Sequence, residues 1–145
     1  MYEMTRAQWW EFAGTGTRTG KLGLTRADGS PHVTPIWFVL DETADGDELV
    51  FNTGRDTVKG RILRRDPRLS LVVDEQEPPY AFVQFTAVAT LHEDLDEMLP
   101  FSTAVGARYM GADRGEEFGK RNAVPGEYLV RARITKVIAL GGLAD

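Results

Sequence analysis

The spacing of apolar residues changes several times along the chain, and each change marks an element. Trp9, Trp10 and Phe12 follow Thr5, whose hydroxyl is suited to accept from the free amides of an opening turn, so a helix is predicted from Thr5 to about Gly14. From Lys21 the period shortens towards two. Leu22–Arg26 and Pro31–Leu40 read as strands flanking Ala27-Asp28-Gly29-Ser30, where Asp-Gly supplies the positive φ of a tight hairpin. Glu48–Thr53, after an acidic loop from Asp41 to Asp47, is a third strand pairing as another hairpin. Three strands with short links predict a meander rather than a doubly wound sheet. Val58, Ile62 and Leu63 then give one apolar face to a short helix from about Asp56 to Arg65, closed by Asp66-Pro67.

Arg68–Asp74 and Tyr80–Leu91 are the fourth and fifth strands, separated by a polar loop from Glu75 to Pro79. In the fifth, Ala81, Val83 and Phe85 alternate with Phe82, Gln84 and Thr86, as in a strand of a closing barrel. Helices are expected over Asp94–Arg108, with Pro100 inside it, and over the more charged Gly111–Asn122, before a last alternating strand, Tyr128–Leu140. The expectation is a mainly β fold of six antiparallel strands with flanking helices, forming one domain over residues 1–145.

Charge and composition narrow the function. Lys plus Arg number 17 against 22 Asp plus Glu, a net charge of −5, which is opposite to what a general nucleic-acid binder needs. There is no cysteine, which excludes disulfides, thiolate metal sites and a cysteine nucleophile, and two histidines leave no expected metal site. The longest apolar runs fall short of the roughly 20 residues of a spanning helix. The first residues show neither the basic start nor the apolar stretch of a signal peptide, so no membrane partner is expected and the cytoplasm is the expected location.

Against this acidic background, Arg55, Lys59, Arg61, Arg64, Arg65 and Arg68 form a local reversal of sign, and such a cluster asks for an anion. Asn52-Thr53-Gly54 ends a strand just before a helix whose first turn carries Thr57 and Lys59. A phosphate there would meet backbone amides, a hydroxyl and a cation together. Thr34, Pro35 and Trp37, on a strand expected beside the one bearing Asn52 and Thr53, offer an apolar wall with fixed polar groups for a planar heterocycle, although core packing is the commoner use of such residues. The glycine-rich Gly14–Gly20 follows a helix and precedes a strand, the reverse of a dinucleotide loop, and reads as a flexible connector. His32 and His92 are each isolated, and Glu93, Asp94, Asp96 and Glu97 suit a helix start better than an acid and base pair. No residue is singled out as catalytic, and chemistry is expected to come from a bound cofactor.

The ordered set Lys21–Phe38, Leu49–Thr53 and Lys59–Ser70 resembles the pyridoxamine-phosphate-oxidase-like split-barrel flavoproteins, and within them most resembles the deazaflavin-dependent reductases that use coenzyme F420. The resemblance covers roughly Thr19 to Leu91. It implies a six-stranded antiparallel split barrel and a homodimer with the cofactor at the interface. By position it implies cofactor contacts from Thr34, Pro35 and Trp37, from Asn52, Thr53 and Gly54, and from Thr57 and Lys59 at the phosphate-holding helix start. Related FMN oxidases commonly carry an arginine before that lysine. Here the residue is Val58, which argues against FMN oxidase activity and leaves Arg61 or Arg55 as substitutes. The implied reaction is hydride transfer from C5 of reduced F420 to an electron-poor double bond of a small-molecule substrate, with Tyr80, Tyr109 and Arg131 as candidates for the substrate side. The alternatives are an FMN-dependent oxidase or reductase of the same barrel, a non-catalytic flavin- or haem-binding module, and a plain anion-binding scaffold.

Overall fold

A computed structural model describes all 145 residues. The elements in chain order are β1 (Tyr2–Glu3), α1 (Arg6–Gly14), β2 (Gly20–Thr25), β3 (Pro31–Ile36), β4 (Val39–Thr43), β5 (Gly46–Gly54), α2 (Val58–Arg65), β6 (Arg68–Glu75), β7 (Ala81–His92), α3 (Leu95–Met110), a 3-10 turn (Ala112–Arg114), α4 (Gly115–Asn122) and β8 (Glu127–Gly141). Local chemistry sets many of the ends. Thr5 and Gln8 form a reciprocal capping box at the start of α1. Gly29 takes φ +86° in the β2–β3 hairpin, and the backbone leaves α2 at Asp66, just before Pro67.

The strands form one antiparallel sheet in the order β3-β2-β6-β7-β8-β5-β4, with β1 on the end of β8. Its two edge strands, β3 and β4, are consecutive in the chain, so the sheet curls round and its ends meet through Trp37 and Phe38 rather than through a ladder. This is the unclosed, mainly β arrangement of a split barrel. Leu22, Phe38, Leu49, Phe51, Leu71, Val73, Val83, Phe85 and Val130 fill its interior, each fully buried.

Three expectations change. The strand count is eight rather than six, because the predicted Pro31–Leu40 strand breaks after Ile36 and Tyr2–Glu3 adds a short pair. The break has a physical cause in α3: the Phe38 carbonyl accepts from Arg108 Nη1 (2.7 Å) and the Phe38 amide donates to the Tyr109 hydroxyl (3.4 Å), so this backbone is satisfied by side chains instead of a neighbouring strand. The meander also gives way: β5 pairs with β4 and β8 and does not lie beside β3. Finally, the Gly14–Gly20 connector is pinned. Arg108 donates to the carbonyls of Ala13 (2.8 Å) and Gly16 (2.8 Å), Tyr109 to that of Arg18 (2.9 Å), and Arg18 itself is held by Glu75. The loop thus turns carbonyls towards a cation, the wrong polarity for a phosphate loop.

Candidate functional site

The site is built where β5 runs out and α2 begins. Thr57 caps α2: its Oγ1 accepts from the Gly60 amide (3.2 Å) and donates to the Gly54 carbonyl (2.7 Å). Gly60 presses on the preceding turn so closely that a Cβ there would lie 2.3 Å from the Gly54 oxygen, which is why the helix start sits flush against the strand end. The first-turn amides of α2 have no partners inside the helix. Lys59 projects from that turn, half-buried, and its charge is felt by the carboxyl of Glu127 across the sheet. Arg55 and Arg68 are spent on Glu93 (3.2 Å) and Asp66 (2.8 Å), whereas Lys59 makes no ion pair.

Strand register divides the predicted residues between two faces, because successive side chains alternate. Thr53, opposite Tyr128, turns into the barrel, where its hydroxyl lies 3.3 Å from that of Thr57. Asn52, opposite Leu129, lies on the outer face beneath α3, where Ser102 Oγ donates to its Oδ1 (2.8 Å). Glu127 is opposite Gly54, diagonal to Asn52 on that same face. Both carry a buried atom with no partner, Asn52 Nδ2 and Glu127 Oε2. Burial pushes the Glu127 carboxyl above the usual carboxylate range, and Lys59 offsets part of that rise.

The apolar wall is placed differently from the expectation. Continuing the β4–β5 register beyond Val39↔Val50 would set Trp37 opposite Asn52, but the ladder stops at Val39. Trp37 and Asn52 therefore stand where the sheet splits. Thr34, opposite the buried Leu22, faces the interior, and Pro35 faces outward on β3 with the exposed Val33. The Trp37 ring stacks on Tyr109 and meets Phe118 edge-on at 6.1 Å. Of the substrate-side candidates, only Tyr109 is near this wall. Arg131 is tied to Asp41 (2.6 Å) and Glu48 (2.8 Å) over the Phe101 ring, and Tyr80 leads into β7.

Arg61 does not join Lys59. Two residues apart on a helix, they project about 160° from one another, and Arg61 faces the β2–β3 hairpin instead. Sequence reasoning missed Glu127 and Ser102 altogether, since neither has any signal before the β5–β8 register and the packing of α3 are known. The largest hollow, about 710 Å3, lies between α1, β4 and α3 against Trp10, Leu40 and Phe101; its polar rim is already used, Arg108 by carbonyls and Asp41 by Arg131.

The residues present suit a phosphate-bearing, ring-containing ligand: an unpaired lysine at a helix start, unpartnered buried polar atoms beside it, and an aromatic at the split. No helix is long and apolar enough to cross a membrane. No curated protein matches the chain. Among solved structures, a conserved hypothetical protein of Mycobacterium tuberculosis has 24% identity and a TM-score of 0.81, over 96% of this chain and 86% of that one. A protein named F420 reductase has 22% identity and a TM-score of 0.64, over 84% and 90%. A haem-binding protein of Mycobacterium smegmatis has 20% identity and a TM-score of 0.68, over all of this chain and 57% of that one. At these identities the likeness speaks for the fold. The sequence profile that matches, over residues 12–140, spans every strand from β2 to the end of β8 save its last residue and includes the whole strand-end and helix-start cradle, and it shows that the chain belongs to the pyridoxamine 5'-phosphate oxidase family.

Proposed function

We propose that this protein is a cytoplasmic reductase that uses reduced coenzyme F420 and works as a homodimer with the cofactor at the interface. The observation that carries the reading is Lys59: a half-buried cation without an ion pair, at a helix start packed flush on Gly54, preceded by Val58 rather than by a second cation. A phosphate at this point would be held by the lysine and the first-turn amides that remain free, while Thr57, which takes the Gly60 amide, keeps that turn in shape. Asn52 Nδ2 and Glu127 Oε2 supply a donor and an acceptor for hydroxyls of the chain between phosphate and ring. Trp37, braced from behind by Tyr109, supplies the apolar wall at the split. Thr34 and Pro35 shape the neighbouring strand, with Thr53 and Gly54 setting the strand end.

The bound deazaflavin supplies the hydride chemistry. The chain's own contribution is orientation of ring and substrate, and exclusion of water from between them. Two things favour this cofactor over FMN: the neighbour named F420 reductase, and Val58 in the place where related FMN oxidases commonly carry an arginine. The exposed outer face of β3, with Val33 at 69% exposure and Pro35 beside it, is the apolar edge that a second copy would cover.

The test is a side-by-side titration of the purified protein with oxidised F420 and with FMN, followed by fluorescence or calorimetry. Tight F420 binding with weak FMN binding is expected. The reverse result would favour the FMN-dependent reading of the same barrel, and binding of neither would sink both and leave a barrel-shaped module without a flavin-type cofactor.

A further inference from the structure

Arg61 falls on the face of α2 that also carries Val58, Ile62 and Arg65, at spacings of three, four and seven residues. That face meets the start of the β2–β3 hairpin, and Arg26 and Ala27 complete a cavity of about 210 Å3 between them. Its lining is three arginines and three apolar or small side chains, with no carboxylate.

The three guanidinium groups are poorly used by the protein itself. Arg26 donates to the Pro31 carbonyl and Arg65 to the Thr25 carbonyl, and Arg61 has neither a hydrogen bond nor an ion pair. Their neighbours on and after α2 are spent differently: Arg64 clasps the Arg55 carbonyl (2.6 Å) and the Tyr128 hydroxyl (3.1 Å), and Arg68 is paired with Asp66. Two carboxyls act on this cluster from outside the cavity, Asp28 on Arg26 and Asp66 on Arg65, but neither lines it: Asp28 accepts from Ser30 and Asp66 from Arg68. Three like charges round one hollow, in a chain whose net charge is −5, make a local concentration of positive potential that flanking carboxyls offset only at Arg26 and Arg65 and that an anion between them would neutralise.

We propose that this pocket binds a small polyanion, a phosphate or paired carboxylates on a short carbon chain. Guanidinium forks match the oxygens of both groups bidentately, while Ala27, Val58 and Ile62 offer an apolar floor for the carbon. The cavity, about 210 Å3 and open to solvent on one side, is the size of such an anion rather than of a whole nucleotide cofactor. The anion is either a charged group at the far end of the cofactor, in which case the inference rests on the F420 reading, or a separate ligand, in which case it does not.

The probes are inorganic phosphate and glutarate, each titrated into the full chain while arginine Nε–H and backbone amide resonances are followed by NMR. Saturable shifts are expected at Arg26, Arg61 and Arg65; they persist in Lys59→Ala and weaken about tenfold or more in the Arg61→Gln/Arg65→Gln double variant. All the changed arginines are exposed, and an unchanged amide spectrum in the absence of anion verifies that the variant is folded. Absence of saturable shifts at these arginines with both anions, or shifts that vanish with Lys59→Ala, would overturn the proposal. F420 titrations separate the two sources: affinity about tenfold weaker in the double variant assigns the anion to the cofactor, and unchanged affinity assigns it to a separate ligand. If wild type binds no F420, the cofactor reading fails while the phosphate and glutarate titrations still decide the pocket.

Discussion

Trp37 and Tyr109 stack almost in parallel, with ring centroids 5.2 Å apart and planes 6° from each other. The residue that interrupts the edge of the sheet is thus held by the next-to-last residue of α3, whose hydroxyl also reaches the Arg18 carbonyl and the Phe38 amide. Tyr109→Phe keeps the stack and strands two backbone groups, for a cost of about 1 kcal/mol. Tyr109→Ala loses the stack as well and should cost about 2–3 kcal/mol. Urea unfolding followed by tryptophan fluorescence distinguishes them, and equal costs would mean that the stack contributes nothing.

Arg108 donates to the carbonyls of Ala13, Gly16 and Phe38 at 2.7–2.8 Å and lies over the Phe38 and Tyr109 rings. Arg108→Met preserves much of the packing but leaves those carbonyls without their donor. The expected loss is about 3 kcal/mol or more, read from chemical denaturation. Arg108→Lys should recover less than half of it, because one ammonium does not span the fork.

Glu127 has a carboxyl raised above its ordinary range by burial. A raised carboxyl pKa means that the folded chain holds the proton more tightly than the unfolded chain. Its favourable contribution is therefore complete below the ordinary glutamate range and is lost as pH rises through the folded value. Glu127→Gln should accordingly be more stable than wild type at neutral pH, with the gap closing as pH falls below about 4. Melting temperatures of both proteins across this range provide the check, and a gap of the opposite sign would refute the assignment.

Lys59→Ala should leave the fold intact and weaken binding of the phosphate-bearing cofactor by about 1.5–3 kcal/mol, since a charge-assisted contact is lost. Calorimetric titration measures this directly. Affinity within twofold of wild type would remove Lys59 from the phosphate site.

Val33 is 69% exposed on the outer face of an edge strand, so Val33→Asp has little to disturb within one chain. If this face joins two copies, the substitution converts dimer to monomer in sedimentation equilibrium while the melting of the isolated barrel changes little. A wild-type chain that sediments as a monomer would refute the dimer outright.

Much of this architecture was legible because it is written locally. Thr5, Asp28-Gly29 and Asp66-Pro67 each fix a chain reversal or helix end within a few residues, and the structure places those boundaries where the sequence puts them. Lys59 was legible for the same reason, as a cation in the first turn of an amphipathic helix. What was hidden depends on distant partners. The break at Trp37 is made by Arg108 and Tyr109, some seventy residues away. The pairing of β5 with β8 brings Glu127 beside Gly54, and the fold of the hairpin onto α2 brings Arg26 to Arg61. A hydrophobic pattern gives each strand its two faces, but it does not say which strands are neighbours.

The join between the sheet's edge strands has a mechanical meaning. Two residues bridge it, and the polar contacts recorded at Phe38 come from side chains of one helix rather than from backbone. Widening the seam breaks no ladder bond, so the barrel's stiffness there is set by how firmly the last turn of α3 is latched. In this molecule a helix that looks like an ornament on a β fold sets how far the barrel gapes.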